Sequence, residues 1–209
     1  MILYCIRHGE STYNAEGRVQ GQSDVPLSEL GIRQGEAVAE ALSRLPLDAL
    51  YASPLQRAYR TAELAAERLD LDIVADDRLK ELNAGVFQDR LRSDLERLYP
   101  EELARWTAGE PDFAIPGGES RNDLKRRGME VLRELGARDH GHAAVITHGR
   151  LLITAVKGLL GIPLEAEPQS LQNGSITRLQ FNGNGEVELL GIDEVAHLAG
   201  VGLAGRGDL

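Results

Sequence analysis

Two apolar runs, residues 1–6 and 143–146, each pass through one polar residue into His-Gly: Arg7-His8-Gly9 and Thr147-His148-Gly149. A strand that exits into an imidazole and then a glycine is thus written twice, about 140 residues apart. In an open α/β sheet, ligands bind beyond the carboxyl ends of the strands. If these two strands are neighbours, both rings meet in that crevice with Arg7 between them. Two imidazoles and a guanidinium, with no evident metal ligands, read as a phosphate site with a histidine nucleophile. The need to bring two distant strands side by side restricts the fold more than any other feature.

The remaining grammar agrees. Apolar strand-like runs at 48–52 and 72–75 alternate with helix-like segments, which predicts a single three-layer α/β/α domain: a mostly parallel sheet with helices on both faces. Ser28 reads as the N-cap of a helix carrying Val38, Leu42 and Leu45 on one stripe. Ser53-Pro54 reads as cap and first position of the next helix, with Leu64, Ala65 and Leu69 inward. Residues 89–118 form a predicted excursion, helical to Trp106 but broken at Pro100, then a Gly/Pro-rich loop. A helix over 119–135 leads to the second His strand, and an apolar helix over 151–160 follows it. Alternation at 175–181, the turn Asn182-Gly183-Asn184-Gly185 and a return over 187–192 predict a C-terminal hairpin. The catalytic domain is expected to span 1–198, and the glycine-rich residues 199–209 to be a flexible tail.

Composition excludes several classes. With 33 acidic and 23 basic residues the formal charge is −10, the opposite of a nucleic-acid-binding footprint. An anionic ligand therefore needs a local basic pocket. Only three of the basic residues are lysines, Lys80, Lys125 and Lys157, so a single arginine carries little signal. The one cysteine, Cys5, sits inside the first apolar run and rules out an intrachain disulfide, which suits a reducing compartment. No apolar stretch approaches the roughly 20 residues of a membrane helix. A cytoplasmic protein without membrane or nucleic-acid partners is expected, and the hairpin edge offers a surface for a homodimer.

Further residues support an anion site. Asn14 and Gln20 add neutral donors in the loop after the first strand. Arg57 falls in the first turn of its helix, where unpaired N–H groups already favour an anion; Arg60, one turn on, fits a solvated charge equally well. Glu81 sits where a strand and short link would deliver an active-site carboxylate. Asp139-His140-Gly141-His142 suits a surface turn better than a metal pair. His197 receives no catalytic role; Glu10 fits either shaping the pocket or extending the loop, and Tyr13 and Arg18 fit either a reach to substrate or a structural, solvated place.

In order along the chain, Arg7-His8-Gly9-Glu10-Ser11-Thr12 with Asn14, Gly17-Arg18 through Gly21, Pro26-Leu27-Ser28, Ser53-Pro54-Leu55-Gln56-Arg57-Ala58, Leu79-Lys80-Glu81-Leu82, Pro116-Gly117-Gly118-Glu119-Ser120, Thr147-His148-Gly149 and Asn173-Gly174-Ser175 appear. This series resembles the histidine phosphatase superfamily, the phosphoglycerate-mutase-like proteins. The resemblance implies that His8 is the nucleophile, that Arg7 and Arg57 clamp the phosphoryl oxygens, and that His148 steadies them, as an imidazolium. It also implies contacts from Asn14, Gln20 and Gly149. Glu81 would be the general acid and base, a role that asks it to hold a proton near neutral pH. Gly9 would let the chain turn and expose the His8 ring. No metal or cofactor is implied. One departure is evident: after Glu81, Leu82-Asn83-Ala84-Gly85-Val86-Phe87-Gln88-Asp89 keeps one glycine but lacks the second that many relatives carry. The reading is a metal-independent phosphomonoesterase acting on small phosphorylated metabolites. A cofactor-dependent phosphoglycerate mutase and a non-catalytic phospho-ligand-binding module are the alternatives.

Overall fold

The structure, a computed structural model, describes residues 1–183 and 185–203. Six strands build one sheet: β1 (Ile2–Arg7), β2 (Ala49–Ala52), β3 (Ile73–Ala75), β4 (His142–Thr147), β5 (Ile176–Phe181) and β6 (Val187–Glu194). Their order is β3-β2-β4-β1-β5-β6. The first four run parallel, and β5 pairs antiparallel with both β1 and β6. The two His-bearing strands are therefore direct neighbours, and the hairpin closes the sheet beside β1.

Strand side chains alternate between faces, and here both faces are covered. Leu3 and Cys5 of β1 with Ala143 and Val145 of β4 join one core, while Tyr4, Ile6, Ala144 and Ile146 join the other. This double burial explains why β1 and β4 read as unbroken apolar runs. Burial also pushes the Cys5 thiol up to about 12, which makes it an inert core residue.

A single turn, α1 (Thr12–Glu16), follows β1. Helices α2 (Glu29–Leu42) and α3 (Gln56–Leu69) cover the Ile6 face through Val38, Ala39, Leu42, Ala58, Ala62 and Ala65. The excursion is helical as expected: α4 (Leu95–Leu98) ends, and Pro100 opens α5 (Pro100–Thr107) at a position where its missing N–H costs nothing. Helices α6 (Arg121–Gly136) and α7 (Gly149–Leu160) cover the Cys5 face. Ser28 caps α2 through its bond from the Gly31 amide, at 3.0 Å. Ser120 and Asp123 form a reciprocal capping box on α6.

One helix start differs from the sequence reading. The segment Ser53-Pro54 precedes α3, whose N-cap is Leu55 without a side-chain cap. Asp24, from a distant loop, accepts the Gln56 amide at 2.6 Å, and Ser53 Oγ lies 2.7 Å from His148 Nε2. A tertiary partner has taken the hydroxyl that local pattern assigns to the cap. Of the predicted tail, residues 199–203 continue from a 3₁₀ turn at Ala196–Leu198, and the Gly202 carbonyl accepts from Gln34 Nε2 at 3.1 Å. Residues 204–209 and Asn184 lie outside the described residues.

Gly9 has a different purpose from the one expected. Its backbone is not left-handed; what it needs is the missing Cβ, which would lie 2.3 Å from the Gly31 carbonyl oxygen. Reciprocally, a Cβ on Gly31 would lie 1.8 Å from the Glu10 carbonyl oxygen. The start of α2 is thus locked against the loop after β1 by backbone on both sides, which cannot yield as a side chain would. Gly31→Ala is expected to lower unfolding stability by about 1–3 kcal/mol. A urea midpoint equal to that of the parent protein would show that this contact is loose.

Candidate active site

Strand register brings the two histidines together. Arg7 pairs with Thr147 across β1 and β4, so His8 and His148 leave the sheet at the same level. The His8 amide donates to the Thr147 carbonyl at 3.0 Å. Their ring centroids are 5.1 Å apart at an interplanar angle of 64°, and both rings are buried.

The surroundings of His8 select its tautomer. Nδ1 lies 2.6 Å from the Gly9 carbonyl oxygen, which can only accept. Nε2 takes a bond from Arg57 Nε at 3.2 Å, and a guanidinium can only donate. The proton is therefore on Nδ1 and the lone pair on Nε2. Burial, then the charges of Arg57 and Arg7, holds the ring well below the usual histidine range, against the opposing bond to Gly9.

His148 differs. Nε2 meets Ser53 Oγ, and Nδ1 is buried with no hydrogen-bond partner among the described residues. Burial, then Arg57, His8, Arg7 and Arg127, pushes this ring well below the usual range too. With no anion bound, burial and the surrounding cations disfavour a positive charge on either ring.

Arg7 and Arg57 are fully buried and oriented by carbonyls. Arg7 donates to Leu171 O; Arg57 donates to Ser23 O at 2.9 Å and to Gly21 O at 2.8 Å. Glu81 is buried beyond the 3₁₀ turn Asp77–Leu79 that follows β3. Its Oε1 accepts from the Leu82 and Leu151 amides at 2.8 and 2.9 Å, and its Oε2 from the Arg150 amide at 3.0 Å. Two of these donors are first-turn amides of α7, whose orphan N–H groups suit an anion. Amide donors favour the ionised carboxylate.

One pocket is lined by His8, Gln20, Arg57, Glu81, Arg92 and Arg150. Gln20 Oε1 accepts from Ser11 Oγ at 2.7 Å. Asn14 Oδ1 is committed to the α1 capping box and to Asn173 Nδ2 at 3.3 Å. Gly149 opens α7 directly beneath His148. The other histidines have local partners: His140 Nε2 with the Tyr51 hydroxyl, His142 Nδ1 with the Tyr4 hydroxyl, and His197 Nε2 with the Gly174 carbonyl. Arg60 pairs with Glu63 on the surface, Arg18 with Glu16, and Glu10 accepts from Ser28 Oγ. No group of three or more metal-ligating side chains occurs among the described residues, and no helix there is long and apolar enough to cross a membrane.

Sequence reasoning passed over Arg92, Arg150 and Ser53. The position of Arg150, immediately after His148-Gly149, was the one usable signal; an arginine-rich chain hides such residues. The departing segment also resolves physically. Gly85 adopts φ 48°, and a Cβ there would lie 2.2 Å from the Pro116 carbonyl oxygen. Asp89, at the end of the segment, takes a left-handed φ of 66° without being glycine, a conformation aspartate tolerates better than most residues.

Comparison with known proteins agrees with this geometry. The family model "Histidine phosphatase superfamily (branch 1)" matches residues 3–193. The probable phosphoglycerate mutase GpmB of Proteus mirabilis (strain HI4320) is 35% identical over 213 residues, 96% of each chain. The solved structure of a mycobacterial glucosyl-3-phosphoglycerate phosphatase superposes with a TM-score of 0.81 at 31% identity, covering 92% of this chain and 98% of that one. YhfR of Bacillus stearothermophilus gives 0.87 at 28% identity, covering 94% and 98%. With the family model matching nearly the whole chain, this chain belongs to branch 1 of the histidine phosphatase superfamily.

Proposed function

We propose that the protein is a metal-independent phosphomonoesterase that hydrolyses small phosphorylated metabolites through a phosphohistidine on His8. The observation that carries this reading is the tautomer lock on His8: a carbonyl holds Nδ1–H and leaves Nε2 the unprotonated nitrogen, facing Arg57 at the pocket wall. A merely binding module has no need for a deprotonated nitrogen opposite a buried carboxylate.

The chemistry follows from these groups. A phosphate monoester dianion repels nucleophiles, so catalysis rests on positioning and charge stabilisation. Arg7 and Arg57 receive its oxygens with planar donor forks. His148 Nδ1, buried and unpartnered among the described residues, supplies a further contact, and a bound dianion opposes the positive field that disfavours a charge on this ring. Nε2 of His8 attacks phosphorus in line as the bond to the leaving oxygen breaks. Glu81 gives that oxygen a proton, a state the dianion beside it favours over the empty-field carboxylate. The ionised Glu81 then takes a proton from water, whose oxygen attacks the phosphohistidine and releases inorganic phosphate and neutral His8.

About 35 residues connect Glu81 to Pro116, and they fold into the short helices α4 and α5. A short cover admits water, which favours hydrolysis over return of the phosphoryl group. The likeness to a probable phosphoglycerate mutase favours a second reading, isomerisation of phosphoglycerates. Interconversion of 3- and 2-phosphoglycerate faster than phosphate release would establish that one instead.

His8→Ala is expected to reduce p-nitrophenyl phosphate hydrolysis by about 10³-fold or more and to abolish acid-labile labelling by substrate phosphate; labelling that persists would exclude His8 as nucleophile. Glu81→Gln should slow alkyl phosphates at least about tenfold more than aryl phosphates, whose leaving groups barely need the proton. Equal losses would remove the general-acid role. Because the His8 pKa is depressed, its neutral form survives acidification. The acid limb of kcat/KM, corrected for substrate ionisation, should fall below pH 6.5, the ordinary histidine value. A limb at or above that value contradicts the buried neutral ring.

A further inference from the structure

Arg150 stands between two cavities. One is the phosphate pocket with His8, Arg57 and Glu81; the other is lined by Arg121, Arg150, Thr154, Lys157 and Gln169. We infer that this second cavity is an anion subsite, and that it receives a negatively charged group carried by the leaving group of the substrate. The inference rests on the phosphomonoesterase reading and extends it to a substrate class: phosphomonoesters with a second anionic group, a carboxylate or another phosphoryl group.

Charge balance makes the case. The clamp arginines, Arg7 and Arg57, already match the two charges of a phosphate dianion. Beyond them the cavity gathers three more cations whose described partners are all neutral. Lys157 is buried, and its ammonium donates to the carbonyls of Leu164, at 2.7 Å, and Ala166. Arg121 donates to the Trp106 carbonyl at 2.7 Å and lies 4.5 Å over the indole ring. Among the described residues the Arg150 guanidinium donates only to Gln169 O, at 3.3 Å, and its Nε is buried without a hydrogen bond. Among the described residues none of the three forms an ion pair; Glu165 and Glu167 are near enough to be felt but not to bond. Arg150 lowers the proton affinity of both neighbours, after burial, which dominates. Such unneutralised cations are costly in a semi-buried space unless an anion joins them. In a chain of net charge −10 their gathering beside the phosphate pocket is the more telling.

The arrangement also separates roles within one residue. The Arg150 backbone amide holds Glu81, while its guanidinium faces the second cavity. Side-chain replacement therefore leaves the Glu81 anchor in place.

The test uses matched substrates: alkyl phosphates of two to six carbons with a terminal carboxylate, against equal-length partners with a terminal hydroxyl. The ratio of kcat/KM within each pair is read, which cancels any loss of folded enzyme. The parent protein should prefer the carboxylate member by about tenfold or more for at least one length, mainly through KM. Arg121→Met and Arg150→Met should each bring that preference below about threefold, and Arg121→Met should leave p-nitrophenyl phosphate turnover unchanged. No preference at any length, or a preference that survives both substitutions, overturns the subsite. Should p-nitrophenyl phosphate itself not turn over, the phosphatase reading fails separately. Calorimetric affinities of the same pairs then decide the subsite: equal affinities overturn it, and a preference lost in Arg150→Met upholds it.

Discussion

Pairing of Arg7 with Thr147 across the centre of the sheet is the constraint from which the site descends. Parallel neighbours in register end together, so the residues that follow them, His8 and His148, emerge side by side. A slip by one residue would turn every side chain of the strand to the other face. Because both faces are buried, such a slip is strongly disfavoured: it would exchange Leu3 and Cys5 with Tyr4 and Ile6 between two differently shaped cores. Packing far from the pocket thus sets the distance between the rings within it.

Around that pair the protein has concentrated positive charge on buried side chains. Carbonyl groups of Leu171, Ser23 and Gly21 accept from Arg7 and Arg57 and keep their donors oriented. The same field disfavours a positive charge on either imidazole, which for His8 suits a nucleophile; His148 Nδ1 is buried without a hydrogen-bond partner among the described residues. Glu81 completes the wall on different terms, gripped by the first-turn amides of α7. One helix N-terminus therefore fixes the carboxylate and, one residue earlier, carries the second histidine. Arg150 extends this economy, with its backbone serving Glu81 and its side chain serving the neighbouring cavity.

Much of this was legible beforehand. Periodicity located the strands and the covering helices because apolar burial on both faces leaves a strong pattern, and the loop-to-helix start at Ser28 follows local capping rules. The paired Arg/Thr-His-Gly exits identified the rings, and Arg57 and Glu81 stood at the ends of elements where anion chemistry is commonly placed. Local rules failed where a distant residue competed. Ser53 Oγ meets His148 Nε2 and the Leu55 amide, not the first-turn amides of α3, and Asp24 supplied the cap from another loop. Gly9 answers to the close approach of Gly31, which no single segment reveals. Arg92 and Arg150 were hidden because one arginine looks like another until its neighbours are known.

By itself, the sequence determined the class of fold, the order of its elements and the identity of the central chemical groups, since hydrophobic period and residue type are local properties of the chain. Only the tertiary structure decided which nitrogen of His8 bears the proton, what holds Glu81, and where the surplus cations collect. Those depend on donors and acceptors brought within about 3 Å across long stretches of chain, and on the removal of water from around them. Neither distance nor burial is written in any one segment.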